Sequence, residues 1–429
     1  MIRPQPLIQI PSPLRPLLNI PSVPPPPRQA PSEMLVVLIL AGVQFSHLMD
    51  FIMMMPLGPQ LMRVFSITPR EFGLVVSVYT FSAAFSCFFA ALFMDRFDRK
   101  KVLLTIYSGL TFGTLLCGLA PSFGWLLAAR VLTGIFGGLL QAIILAIIGD
   151  IIPQHRRGRA TGIVMAAFAV TSVAGVPLGL MIANRLGWNA TFLLLAGLTT
   201  ANLGLAWRYL PSVSGHLAQR RTVSALTGMS MLLKERNTWV AIALTISMMS
   251  IFAIMPFVSP FLITVAGLSE GDLAYIYLVG GIASLGMAPL VGRLSDRYGA
   301  RRVFIISSFF SVPALLAFAN MGHAGLAMAM LLNTIVSAVG AARMTPWLEL
   351  INRSINRARR GSFMTLIASV QQLAAASASY AGGWLIGASS AELTRFSQLG
   401  AVVAASMVLS SILSLVLRPV PEGDDATAL

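Results

Sequence analysis

Long uninterrupted apolar runs, separated by short polar turns rich in arginine, organise this chain. The runs fall at about 34–56, 72–94, 102–120, 124–149, 160–183, 190–210, 238–258, 272–292, 303–320, 325–347, 362–388 and 396–417. A helix rising ~1.5 Å per residue needs about 20 apolar residues to cross ~30 Å of hydrocarbon, and each run is close to that length. The pattern predicts twelve transmembrane helices, with only Met321–Ala324 between the ninth and the tenth. The longest connection, 211–237, is polar and basic and separates a six-helix bundle over 34–210 from a second over 238–417. Within it, Val223–Leu233 is mildly amphipathic, the pattern of a helix lying on a membrane surface.

Composition agrees with lipid as the solvent. Of 429 residues 56% are hydrophobic and 10% charged, with mean hydropathy +0.80, against about 25% charged in a soluble domain. So little charge cannot cover a water-facing surface of this size, and the fold class follows as all-α integral membrane. The net charge of +15 is explained by position. With the N-terminus in the cytoplasm, 24 of the 30 Lys and Arg residues lie on the cytoplasmic side. Only Arg63, Arg70, Arg185 and Arg395 lie outside, and Arg130 and Arg343 fall inside runs. This asymmetry places both termini in the cytoplasm of a plasma membrane (the inner membrane, for a bacterium) and requires no nucleic-acid partner.

Residues 1–33 carry proline every few positions and lack the apolar core of a secretory signal, so they are expected to be a disordered tail. Residues 418–429 form a shorter second tail. Cys87 and Cys117 lie in apolar runs and indicate neither a disulfide nor a metal site. There is no phosphate-binding loop, metal-ligand cluster or nucleophile paired with a base, so neither a cofactor nor an enzyme is implied.

Two landmarks recur. The turn after the second run holds Asp95, Arg96, Asp98, Arg99 and Lys100; the turn after the eighth holds Gly292, Asp296, Arg297, Gly299, Arg301 and Arg302. Asp95 and Asp296 are 201 residues apart, and Arg156-Arg157-Gly158 stands 203 residues before Arg359-Arg360-Gly361. A tandem duplication is the simplest account. Six crossings return the chain to its starting side, so the halves share one orientation. The pattern G-x-x-x-D-R-x-G-x-R-R resembles the cytoplasmic turn of the major facilitator superfamily. The second turn matches it throughout, while the first has Ala91 and Asp98 where the family has glycine. Asp50-Phe-Ile-Met-Met-Met-Pro-Leu-Gly-Pro, with Arg130-x-x-x-Gly134, is similar to the drug:proton antiporter and arabinose-efflux-permease-like group. The resemblance implies the major facilitator fold. It also implies a conformational latch at these turns, from Asp95, Arg96, Arg99, Gly292, Asp296, Arg297 and Arg301 with Asp150 at the inner end of the fourth run.

An ionisable group inside the membrane costs ~2.5–3.5 kcal/mol on insertion scales and so pairs or faces a cavity. Asp50 and Arg130 each lie about six residues, ~9 Å, from the outer end of their run, at one depth. His47 is three residues before Asp50, on the same helical face. Because the first and fourth helices of the family both line the cavity, the resemblance lets Asp50 and Arg130 meet. Asp50 is then the expected proton carrier, tuned by Arg130 and His47; a permanent structural salt bridge is the alternative. Gln44, Gln141, Asn333, Arg343, Gln371 and Gln372 are candidate cavity-lining groups, though each serves equally well as a tie between helices. Gly175-Val-Pro177-Leu-Gly179 partly matches the antiporter signature of the family, in which Gly and Pro bend and thin a helix.

These observations point to a monomeric secondary transporter in the lipid bilayer. Its expected partners are a small organic solute, drug- or sugar-like, and protons. Export by alternating access is the favoured direction, with uptake, facilitation or a sensor role as alternatives.

Overall fold

The computed structural model describes residues 32–93, 96–214, 231–356, 359–387, 393 and 395–419. The proline-rich tail to residue 31, Asp95, most of Val223–Leu233, Arg357 and the tail from residue 420 lie outside the described residues.

Twelve long helical segments stand where the apolar runs predict them. They are α1 (Glu33–Met53), α2 (Pro69–Phe93), α3 (Arg99–Gly118), α4 (Phe123–Ile151), α5 (Gln154–Leu186) and α6 (Trp188–Tyr209). The second set is α7 (Arg236–Thr264), α8 (Glu270–Tyr298), α9 (Ala300–Ala319), α10 (Leu326–Arg353), α11 (Arg360–Ile386) and α12 (Phe396–Val416). Among the described residues, ten are long and apolar enough to cross a membrane. The other two, α2 and α11, are equally long and pack on each other. A short helix, Gly58–Val64, follows α1.

Local chemistry sets the ends. Ser32, Ser122 and Asp98 cap α1, α4 and α3 through their side chains, and Ser269 with Asp272 forms a capping box at α8. Gly187 and Gly387 end α5 and α11 with φ of 92° and 97°, a conformation that favours glycine. They are 200 residues apart, so the duplication is visible in the backbone as well as in the motifs.

Packing repeats in the same way. In the first half α4 lies on α2 and α3, α3 on α6, and α1 on α5 and α6; in the second, α10 lies on α8 and α9, α9 on α12, and α7 on α11 and α12. The halves meet along two seams, α2 against α11 and α5 against α8. A six-helix shift turns one seam into the other, as a two-fold relation between the halves requires. Glycine allows the close approach. A Cβ on Gly73 would lie 3.1 Å from the Gly383 Cα, and one on Gly281 would lie 2.7 Å from the Ser172 carbonyl oxygen.

α5 contains a π-turn, Thr171–Gly175, directly before Pro177. Proline has no amide to give the carbonyl four residues back, and the wider turn is where the helix absorbs that loss. Gly175 and Gly179 face Met49 and Met53 of α1. Outside, Phe85, Phe112, Leu194, Phe309 and Phe310 are exposed, a surface suited to lipid. Exposed Trp207 and Trp239 ring the arginine-rich face, and Trp125 and Trp384 the opposite one, as interfacial anchors do.

Candidate functional site

The sequence brings few charged groups into the first bundle, and the fold joins Asp50 and Arg130 at one point. Asp50 of α1 and Arg130 of α4 expose no side-chain surface, and Arg130 Nη1 lies 2.9 Å from Asp50 Oδ2. The same nitrogen donates to the Asp50 carbonyl at 3.3 Å, and Thr114 of α3 donates to Asp50 Oδ1 at 2.8 Å. The guanidinium lies 4.4 Å from the ring centroid of Tyr79 on α2, a buried cation–π contact. The Tyr79 hydroxyl is 3.2 Å from Nδ1 of half-buried His47, so it ties His47 to the pair. Arg130 Nε and Nη2 are buried without a hydrogen-bond partner.

Glycines of α4 make room for this arrangement. A Cβ on Gly134 would collide with the Tyr79 carbonyl and one on Gly137 with its hydroxyl, while one on Gly138 would lie 2.8 Å from Ala83. The Gly134/Gly138 stripe is therefore a packing face against α2. On the other side Phe51 stacks on Tyr79 with centroids 5.2 Å apart.

The second half builds a neutral version of the same corner. Asn333, 203 residues after Arg130, donates to the Ile276 carbonyl at 3.3 Å. It packs on Gly280, 201 residues after Tyr79. Arg343 is buried and turned into the second bundle, where it binds Ser308 of α9 at 3.0 Å and Ser410 of α12 at 2.7 Å. Gln44 is buried with an unpartnered Oε1, Gln141 is exposed, and Gln371 and Gln372 are half-buried. The cavity candidates thus do not converge on one place.

The two basic-face turns also differ. Arg99 Nε lies 2.9 Å from Asp150 Oδ2, joining the first turn to the end of α4. Asp98 caps α3, and Asp95 lies outside the described residues. In the second turn, Asp296 is exposed and Arg297 stacks beside Tyr298 at 5.3 Å. Arg301 donates to the Leu417 carbonyl at 2.5 Å. A Cβ on Gly292 would meet nothing within 4 Å, so no close contact requires glycine there; Gly299, with φ 87°, is the glycine the turn requires.

A cluster that sequence reasoning missed lies at the opposite face. Glu270 at the start of α8 pairs with Arg63 and accepts from Gln60 at 3.0 Å, while Asn184 of α5 donates to its carbonyl at 3.1 Å. Gln60 also donates to Asn184 at 2.7 Å. These contacts clasp the two halves together at that face.

Comparison with known proteins places these features in context. A family model described as Major Facilitator Superfamily matches residues 40–295 and 242–428. The chain is 24% identical over 362 residues to "Uncharacterized MFS-type transporter YbcL" of Bacillus subtilis (strain 168), covering 84% of this chain and 90% of that one. It is 24% identical over 258 residues to a "Probable sugar efflux transporter" of Helicobacter pylori (strain J99), covering 60% and 64% of the two chains. A solved bacterial homologue of the human lysosomal transporter Spinster, in an inward-facing and unoccupied conformation, superposes with TM-score 0.70. That match has 16% identity and covers 90% of this chain and 98% of that one.

Proposed function

The chain belongs to the Major Facilitator Superfamily of membrane transporters, and on that premise we propose that it exports a small organic solute in exchange for protons. The carrying observation is the Asp50–Arg130 pair, sealed between α1 and α4 with two guanidinium nitrogens unpartnered. A buried ion pair holds its charges cheaply only when its remaining donors are also satisfied. This pair falls short of that, and keeping two charges at such a cost, where a neutral tie would join the helices, supports a functional role for Asp50.

Protonation of Asp50 removes the anion that holds Arg130. The guanidinium then rests on the Tyr79 ring, and the α1–α4 contact loosens. Solute and proton thereby compete for one bundle, which is what exchange requires. The basic face is taken as cytoplasmic from the arginine asymmetry. The clasp at Glu270 then closes the outer face and leaves access from the cytoplasm. Arg99 with Asp150, and the turn carrying Asp296, Arg297 and Arg301, act as the latch that this state and its opposite use differently.

The solute is uncharged or amphipathic, because the six polar candidates scatter and the second bundle keeps its arginine on serines. The name of the Helicobacter pylori relative favours a sugar-like solute and the export direction. The π-turn before Pro177, beside Met49 and Met53, gives α5 a place to bend during exchange. The test is the pH dependence of transport in Asp50→Asn. Loss of that dependence supports proton carriage at Asp50, and an unchanged profile removes it.

A further inference from the structure

The duplication does not build the two basic-face turns alike. In the first half Asp98 sits at the N-terminus of α3, where its carboxylate accepts from Lys100 N at 2.8 Å and Lys101 N at 3.4 Å and also binds Ser212. The position 201 residues later is Gly299, and α9 begins there without a side-chain cap. A Cβ on Gly299 would meet nothing within 4 Å.

The open space is a hollow of about 300 Å³ lined by Tyr298, Arg301, Arg302 and Arg353, with Leu350 and Leu417 on its apolar side. Its charges are poorly balanced. Arg301 gives Nη2 to the Leu417 carbonyl and keeps a buried Nε without a partner. Arg353 pairs with Glu349 at 2.7 Å. Arg302 is exposed and makes no ion pair among the described residues. One half therefore brings its own anion to this helix start, and the other sets three guanidinium groups, one of them paired with Glu349, and free amide dipoles around the hollow.

We propose that this hollow binds the phosphate group of an anionic phospholipid. Phosphate is the anion that suits forked guanidinium donors and a helix N-terminus together. A lipid is its source because the hollow lies at the ends of α8, α10 and α12, at headgroup level, and its leucines can cover a glycerol backbone. The site is separate from Asp50, so phosphate binding there can be tested apart from proton coupling and transport direction.

Native mass spectrometry of the full chain with phosphatidylglycerol or phosphatidylcholine tests this. The wild type should retain one phosphatidylglycerol more tightly than phosphatidylcholine. R302Q, changed at an exposed side chain, should weaken that binding about fivefold, and R302Q/R353Q by tenfold or more. A charge-matched control, R208Q/R236Q, should stay within about twofold. Equal retention of the two lipids, or unchanged binding in R302Q/R353Q, overturns the proposal. So does arginine-dependent displacement by millimolar inorganic phosphate, which would make the ligand a soluble phosphate. If Glu422, Asp424 and Asp425 filled the hollow instead, neutralising them would raise lipid retention; that result also overturns it.

Discussion

The Tyr79 ring lies beneath the Arg130 guanidinium at 4.4 Å, and its hydroxyl reaches His47 at 3.2 Å. Ring and hydroxyl thus serve different partners, and substitutions separate them. Tyr79→Phe keeps the shelf under Arg130 and should retain most transport while altering its pH profile through His47. Tyr79→Ala removes the shelf. A desolvated cation–π contact is worth about 2 kcal/mol, so a loss on the order of thirtyfold in transport rate is expected. Transport assays of the two variants across pH decide whether ring and hydroxyl act separately.

Removing one member of the pair leaves the other charged and buried. Arg130→Ala should therefore destabilise the protein by about 3–5 kcal/mol, read as a lower melting temperature in detergent. Asp50→Asn with Arg130→Gln removes both charges and should recover most of that stability without recovering proton coupling. Recovery of coupling in the double variant would contradict the role given to the pair.

The clasp at Glu270 predicts a shift in conformation. Its pair with Arg63 is partly solvent-exposed, so about 0.5–1 kcal/mol is at stake, a change of about two- to fivefold in the open population. Glu270→Ala should lengthen spin-label distances between the halves at that face. Unaltered distances would show that the clasp does not hold this state.

Asp98 gives a pH-dependent stability. Burial raises its carboxyl, but hydrogen bonds from Ser212 and from the amides of Val213, Lys100 and Lys101 outweigh this and hold it below the usual aspartate value. A lowered carboxylate stabilises the fold above its unfolded value of about 3.9, and the contribution disappears as pH falls through the folded value. Asp98→Ala should cost about 1 kcal/mol at neutral pH, as a lost helix cap does. The melting-temperature difference from wild type should shrink as the pH is lowered below about 4.

Much of the fold was legible because hydropathy is a one-dimensional signal. Span number, the six-and-six division and the offset near 200 residues depend only on run length and motif spacing. The Asp50–Arg130 contact was legible because the two charges fall at matching depths and the family resemblance puts their helices together at the cavity. Tyr79 and Thr114 were not, although a tyrosine hydroxyl inside an apolar run needs a partner and gives some warning. Thr114 gives none, since threonine can satisfy itself on its own helix. Arg343 is legible as a charge inside a run but not in its facing direction. A helix that is apolar all round does not reveal which side meets its bundle. The Glu270 clasp joins a loop helix, the end of α5 and the start of α8, and sequence spacing carries no signal for such a meeting.

Proton carriage by Asp50 is proposed to drive solute movement. Its most direct measurement is proton flux across proteoliposomes when solute is added, for wild type and Asp50→Asn, beside solute counterflow without a pH gradient. Solute-dependent proton flux should appear in the wild type only, with counterflow preserved in Asp50→Asn. Solute-dependent proton flux persisting in Asp50→Asn would contradict it.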